Sequence, residues 1–523
     1  MIKFIRENKI LSLALVALCA LGLFFRLYHI EFGLPHSFYA DEPEIAEPAI
    51  KYTYEFKDVV TNNNFYKLIP VSFVYGTFPV YVFTVATMAF SKFNNLFGLT
   101  FDKTSIFIFL RVVNALITLT LIPITFALYK KLFSDKLGLL VITFLTALNW
   151  KLIVHAHYLN QDIILVILLT LSFVTFYKYF SKNTDTKYTI ITGLLFGLCV
   201  GTKITALISA PLFLYVFLVK KDLRGFLGFV FTALISFAIS NPFSIIMSSE
   251  FIFRIYSMLG KEAGMVFDSV DYSATKYLST LLYMCGPFVI AAAAYGIGAL
   301  IRSKKLTTFH IFLLGHVIFY LLFYTIQSRR VDRWMLPMLP IIFLYAAYGI
   351  SKFVNTYNTA RTKLIILCAL FVISYLYYPT LLLNEFQRWT PKSAAYLWLK
   401  EQVNPLEPNQ VIGITEEGLD PINKLPYSKG IKFNVYANEG AQFDFPPDVS
   451  LYRFVVISSR PMENFKRSDV STMYPYYAQR WTEFENMLED TNRYDLVKDF
   501  TLIKPNLIPL SDVRIYKVVE RGI

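Results

Sequence analysis

Apolar runs of about 20 residues punctuate this chain, each as long as an α-helix must be to cross the ~30 Å hydrocarbon core of a bilayer. They fall at Ile10–Tyr28, Ile106–Tyr129, Leu137–Val154, Ile163–Tyr179, Tyr188–Gly201, Ile204–Val219, Gly225–Met247, Tyr277–Ile301, Thr307–Thr325, Trp334–Phe353 and Leu364–Leu382, eleven in all. A membrane barrel would instead show alternating strands of about 10 residues. The pattern predicts an all-α polytopic membrane bundle of about 11 transmembrane helices. A charged fraction of 17%, against about 25% in soluble domains, agrees.

A formal charge of +13 raises the question of nucleic acid, and the placement of the charge answers it. Residues 1–383 carry 33 Lys/Arg against 18 Asp/Glu, whereas residues 384–523 carry 17 against 19. The excess belongs to the loops between spans, where it sets orientation, so no nucleic-acid partner is expected. With a cytoplasmic N-terminus, every second connection is basic: Lys130/Lys131/Lys136, Lys178/Lys182/Lys187, Lys220/Lys221/Arg224, Arg302/Lys304/Lys305 and Lys352/Arg361/Lys363. The expectation is a multi-pass protein of the plasma membrane. The apolar segment Val71–Phe90 would reverse all five clusters if it crossed, so it reads as interfacial or re-entrant helices within a first external loop, 29–105. Lys3, Arg6 and Lys9 before an apolar run resemble a signal peptide, but no small-residue cleavage site follows, and the first span reads as an uncleaved helix. Cys19, Cys199, Cys285 and Cys368 lie inside apolar runs and read as small buried hydrophobes.

Beyond Leu383 the composition changes. Gln410–Thr415, Arg453–Ser459 and Val513–Val519 look like short strands, and Lys392–Gln402 and Tyr477–Glu489 look helical. About 140 residues suffice for one small α/β domain. The expected organisation is a transmembrane domain, 1–383, followed by an extracytoplasmic α/β domain, 384–523, that covers the outer membrane face.

This topology gathers the unusual polar residues on the external side. Asp41 and Glu42 follow the first span directly, where ionised carboxylates are costly unless the loop is wet or they have work to do. Their bland reading is a solvated acidic turn capping a helix that starts near Pro43. Glu44, Glu47, Glu55 and Asp58 fit that reading. Asp41, beside Tyr39, is placed to take a proton from an acceptor hydroxyl, and Glu42 and Asp162 are the further catalytic candidates. A second cluster, HAHYLNQD, brings His155, His157 and Asp162 to the mouth of a later span. Two histidines and an acid could ligate a divalent cation, but a lone HxH at a membrane interface reads equally as amphipathic anchoring, and no cofactor is firmly predicted. Asp162, an acid at a helix mouth, reads as an electrostatic partner of the first site.

Basic residues on the outer side oppose the orientation rule and are therefore informative. Lys67 with Tyr66 in NNNFYKLIP, Lys203 in GTKITAL, Arg329, Arg330 and Arg333 in QSRRVDRW, and Arg111 inside the second span could converge on a lipid phosphate. Asp332 is available to neutralise one arginine. Tyr39, Tyr66, His155 and His157 are candidates for lining the acceptor or sugar pocket.

FFRLYHI in the first span, Asp41-Glu42, FYKLIP, Arg111-Val-Val-Asn opening a span that ends YKKLF, HAHYLNQD, GLLFGLCVGTK, RWMLPMLP and PKSAAYLWLK, in this order, resemble the GT-C glycosyltransferases. The likeness is to the branch of protein O-mannosyltransferases and aminoarabinose transferases, and it runs over nearly the whole chain. It implies a polyprenyl-phosphate-linked monosaccharide donor, an external active site and inverting transfer to a protein, lipid or glycan hydroxyl. By position Asp41 resembles the family's catalytic acid, Asp162 its second-loop acid and Lys67 the lysine that meets the donor phosphate. The family's Lys-Pro-Pro is here Lys67-Leu68-Ile69-Pro70. A transporter or flippase of isoprenoid-linked sugar lipids is the rival expectation, and would call for internal repeats and helices broken at the midplane.

Overall fold

In the computed structural model the structure describes residues 9–35, 41–70, 73, 75–98, 102–181, 186–260, 273, 275–327, 330–357, 361–404, 406–416, 425, 428–433, 449–459, 463, 465–502, 507, 508 and 510–519. The helices of the membrane part are α1 (Lys9–Leu27), α2 (Pro43–Asn62), α3 (Thr77–Leu96), α4 (Lys103–Leu119), α5 (Leu121–Leu132), α6 (Lys136–Leu148), α7 (Trp150–Val154), α8 (Gln161–Ser181), α9 (Thr186–Thr202), α10 (Ala210–Lys220), α11 (Leu223–Ser240), α12 (Pro242–Ile246), α13 (Ser248–Gly260), α14 (Lys276–Cys285), α15 (Pro287–Arg302), α16 (Thr308–Thr325), α17 (Leu339–Thr356) and α18 (Arg361–Phe386). Their starts are set by short polar side chains. Asp102, Asp135 and Asp222 accept from the backbone N–H of Ser105, Gly138 and Gly225 at 2.8, 2.7 and 2.9 Å, filling donors that a helix start leaves open.

Among the described residues 7 helices are long and apolar enough to cross a membrane, or up to 8 if α14 and α15, bent by 102° at Gly286, count as one span. The expected eleven are not reached by this measure, and the shortfall has a physical cause. The run Leu137–Val154 breaks at Asn149, whose extended backbone ends α6 and whose side chain caps α7. The 13 residues of α6 rise only about 20 Å. Thr186–Thr202 and Ile204–Lys220 are likewise shorter apolar helices. The first loop holds α2 and α3 packed on each other, joined through a 3₁₀ turn at Phe65–Leu68, and α3 is not among the helices apolar enough to cross.

The bundle centres on α8 and the segment Asp332–Thr356, the most enclosed of the apolar helices, whereas α1 and α18 lie at its edge. Helix α9 packs closely against α11, where Gly193, Gly197 and Gly201 form a small-xxx-small stripe. A Cβ on Gly197 would meet the carbonyl oxygen of Ala233. Gly197→Leu should therefore lower the thermal unfolding temperature of the detergent-purified protein, overpacking costing about 1–3 kcal/mol or more. Gly298→Ala, where a Cβ meets nothing within 4 Å, should leave it within the usual scatter of surface changes.

Among the described residues the C-terminal region holds a five-stranded sheet in the order β2-β1-β3-β5-β4, with β1 (Val411–Glu416), β2 (Ser428–Phe433), β3 (Phe454–Ser458), β4 (Tyr494–Phe500) and β5 (Val513–Val518). Strands β2, β1 and β3 are parallel, while β5 and β4 are antiparallel to their neighbours. Alternation along the strands gives the sheet two apolar faces. Val411, Phe454, Val456 and Ile515 pack on Ala395 and Leu399 of α19 (Pro391–Gln402). Ile412, Ile414, Val455 and Ile457 pack with Trp481 and Phe484 of the helix α21 (Pro475–Glu489), which follows the short α20 (Ser468–Met473). Glu385, near the end of α18, accepts from the N–H groups of Leu507 and Ile508 at 3.0 and 3.2 Å, tying this region to the bundle.

Candidate active site

Helix ends at one pole of the bundle bring four charged residues together. Asp41 stands two residues before Pro43, the first residue of α2, and Asp162 is in the first turn of α8. Lys203 follows the last residue of α9, and Arg333 lies in the 3₁₀ turn Asp332–Met338 that leads into α17. Lys203 Nζ donates to Asp162 Oδ1 at 2.5 Å. Arg333 bridges the two acids: Nη1 pairs with Asp41 Oδ2, and Nε lies 3.6 Å from Asp162 Oδ2. Tyr75 Oη donates to the other oxygen of Asp41 at 3.3 Å. Asp162 and Lys203 are buried, and Asp41 and Arg333 are partly so, so these charges interact with little screening.

A second layer holds the array in place. Glu42 and Arg111, both fully enclosed, form a bidentate pair with Nε–Oε1 2.8 Å and Nη2–Oε2 2.6 Å. Arg111 Nη1 also donates to the carbonyls of Ile30 and Phe32 at 2.9 and 2.8 Å, and Leu159 N–H donates to Glu42 at 3.3 Å. The carboxylate is thus consumed by this clamp, which is why Glu42 makes no side-chain cap on α2. Asn114, one turn further along α4, donates to the carbonyls of His155, Ala156 and Tyr158, fixing the loop that carries Asp162.

Several other expected site residues make contacts outside this array. Lys67 pairs with Asp58 at 2.8 Å in a part-exposed contact, and Asn64, Lys67 and Asn62 hold the Asp58 carboxyl well below its ordinary range. Tyr66 is exposed. Arg330 donates to Thr280 and Ser279 on α14 at 3.1 and 3.3 Å. Asp332 pairs with Lys151, which is buried. Tyr39 and Arg329 lie outside the described residues. His157 stacks on Phe386 with ring centroids 3.7 Å apart, and its two nitrogens face the carbonyls of Ile153 and Tyr28, each at 2.9 Å. Burial above all brings its pKa down to about 4, so only one nitrogen carries a proton and only one of those contacts is a full hydrogen bond. Among the described residues no group of three or more His, Cys, Asp or Glu side chains converges as a metal site.

Lys151, Asn114, Tyr75 and Asn160 belong to the site's surroundings without having been singled out by sequence. Lys151 had a readable signal, a single cation in the apolar stretch LNWKLIV.

A model of the dolichyl-phosphate-mannose-protein mannosyltransferase family matches residues 80–246, and one of the Alg9-like mannosyltransferase family matches residues 274–409. None of the curated proteins matches the chain. Among solved structures the fold is similar to ArnT from Cupriavidus metallidurans bound to undecaprenyl phosphate, with 12% identity, a TM-score of 0.56 and coverage of 96% of this chain and 97% of that one. It is also similar to the oligosaccharyltransferase AglB of Archaeoglobus fulgidus in complex with an inhibitory peptide and a dolichol-phosphate, with 14% identity, a TM-score of 0.51 and coverage of 88% and 71%. An A. fulgidus oligosaccharyltransferase in the apo form gives 14% identity, a TM-score of 0.50 and 78% coverage of this chain, which spans only 62% of that protein's length. The chain thus has the GT-C fold that these structures share, and two mannosyltransferase family models each match a part of it.

Proposed function

We propose that the protein is an inverting glycosyltransferase that moves a monosaccharide from a polyprenyl-phosphate donor to a hydroxyl acceptor at the extracytoplasmic membrane face. The observation that carries this reading is the array Asp41–Arg333–Asp162–Lys203, two carboxylates interleaved with two cations at the helix ends. Such an array supplies a proton acceptor and a phosphate-binding pair side by side. An arriving phosphate competes with Asp41 for Arg333, so donor binding itself releases the base. Asp41 then takes the acceptor hydroxyl proton as that oxygen attacks the anomeric carbon. The bond from anomeric carbon to phosphate oxygen breaks on the opposite face, and polyprenyl phosphate leaves with its charge balanced by Lys203 and Arg333. Asp162 Oδ2, which accepts no hydrogen bond among the described residues, is available to orient a hydroxyl of sugar or acceptor.

Glu42 and Arg111 fit a positioning role rather than direct chemistry, because each satisfies the other. Lys67, on the first loop, is available to the donor only by leaving Asp58. Residues 1–383 would form the transferase domain, with α2 and α3 lying along the interface, and residues 384–523 would cover the acceptor side.

Mass spectrometry of glycans and lipids in cells lacking the protein should show an acceptor short of one monosaccharide. An unaltered glycan and lipid profile would overturn the reading. Lys203→Gln should weaken binding of undecaprenyl phosphate to the purified protein by about 10–100-fold, the worth of one hydrogen bond to a charged group, measured by direct titration.

A further inference from the structure

His155 is almost fully enclosed, and its hydrogen bonds determine where its proton sits. Nδ1 lies 3.1 Å from Tyr158 Oη and 3.2 Å from Asn160 Nδ2. The orientation of the Asn160 amide is fixed independently, because its Oδ1 accepts the Asp162 N–H at 2.6 Å. The group facing His155 is therefore the NH₂, which can only donate. Nδ1 must offer its lone pair, and a neutral imidazole with a bare Nδ1 carries its hydrogen on Nε2.

That Nε2–H is enclosed and has no acceptor among the described residues. The ring feels the charges of Lys151, Asp332, Arg333 and Lys203; burial first, then the three cations, push its pKa well below the ordinary value, with Asp332 opposing. A buried donor with its proton locked in place, set among cations, lacks one thing, an anionic oxygen.

Resting on the transferase reading above, we infer that His155 binds the donor as a permanently neutral hydrogen-bond donor, its Nε2–H directed to an unesterified oxygen of the polyprenyl phosphate. It neither gives up nor takes up a proton during the reaction. It selects phosphate by geometry where Lys203 and Arg333 select it by charge, and Tyr158 and Asn160 act as its positioning residues.

The test is titration of undecaprenyl phosphate into the purified protein. His155→Phe, which keeps a ring and removes the donor, should weaken binding about tenfold or more. His155→Gln, whose amide can place an N–H near the Nε2 position, should restore it to within about threefold. The ratio of wild-type to His155→Phe affinity should stay flat from pH 6 to 8, because the ring does not titrate there. A folded His155→Phe protein that binds as tightly as wild type, or a ratio that changes through pH 6.5, overturns the assignment. Should the Phe variant not fold, ¹⁵N-histidine labelling of the unaltered protein decides: the Nε2 resonance of His155 must move when undecaprenyl phosphate is added, and a static resonance overturns it. Failure of the wild type to bind undecaprenyl phosphate sinks the transferase reading as well. Weakening by Lys203→Gln but not by His155→Phe sinks the histidine alone.

Discussion

Asp41→Asn is expected to slow sugar transfer by about 10²–10⁴-fold, the usual worth of a positioned general base. Binding of polyprenyl phosphate should be kept or tightened in the same variant, since Arg333 loses the carboxylate that it pairs with and is left freer to meet an incoming anion. The two readouts separate the proposal from its rival. A transporter of lipid-linked sugars has no need of a base, so transfer by membranes carrying Asp41→Asn, followed by mass spectrometry of the acceptor, would be absent in both wild type and variant. Wild-type-like transfer by the variant would remove Asp41 from the chemistry altogether.

Arg111→Met should destabilise the protein by about 3–5 kcal/mol, the cost of leaving a buried carboxylate without its partner. The stranded group is Glu42, which is fully enclosed and also receives the Leu159 N–H. Combining Arg111→Met with Glu42→Gln should recover most of the loss, because a neutral amide is far cheaper to bury than a charge. Thermal unfolding in detergent checks both arms. Full stability of the single variant would mean that the clamp does not hold the first loop. Transfer that stays abolished in a stable double variant would return Glu42 to the reacting groups.

The membrane character of the chain was legible because lipid allows little variation: a span must be apolar and about 20 residues long. The breaks were less legible. A single residue such as Asn149 divides a run without lowering its mean polarity much, and it does so by capping a new helix from within the apolar stretch. In the C-terminal region β1, β3 and β5 lie where short apolar runs predict them, but β2 and β4 do not stand out in sequence. They are the two outermost strands, and SKGIKF and YDLVKDF carry the charges that protect a sheet edge from unwanted pairing.

At the site, residue types were readable and partnerships were not. Asp41, Asp162, Lys203 and Arg333 are each unusual for where they fall in the sequence, and the fold brings them to one place. Nothing in the order of the letters tells that Arg111 and Glu42 spend their charge on each other, or that Asp332 pairs with Lys151, 181 residues away in sequence. Those pairings depend on helix rotation and depth, which periodicity fixes only loosely in helices that are apolar all round.

Gly76 donates its N–H to the Thr202 carbonyl at 3.2 Å and rests against Gly201, while the next residue, Thr77, donates its own N–H to the Asn241 side-chain oxygen. The root of α3 is thereby welded to the step of backbone just ahead of Lys203. On the transferase reading proposed above, a substitution that shifts the root of α3 would move Lys203 with it and so retune the grip on the carrier lipid at the same stroke.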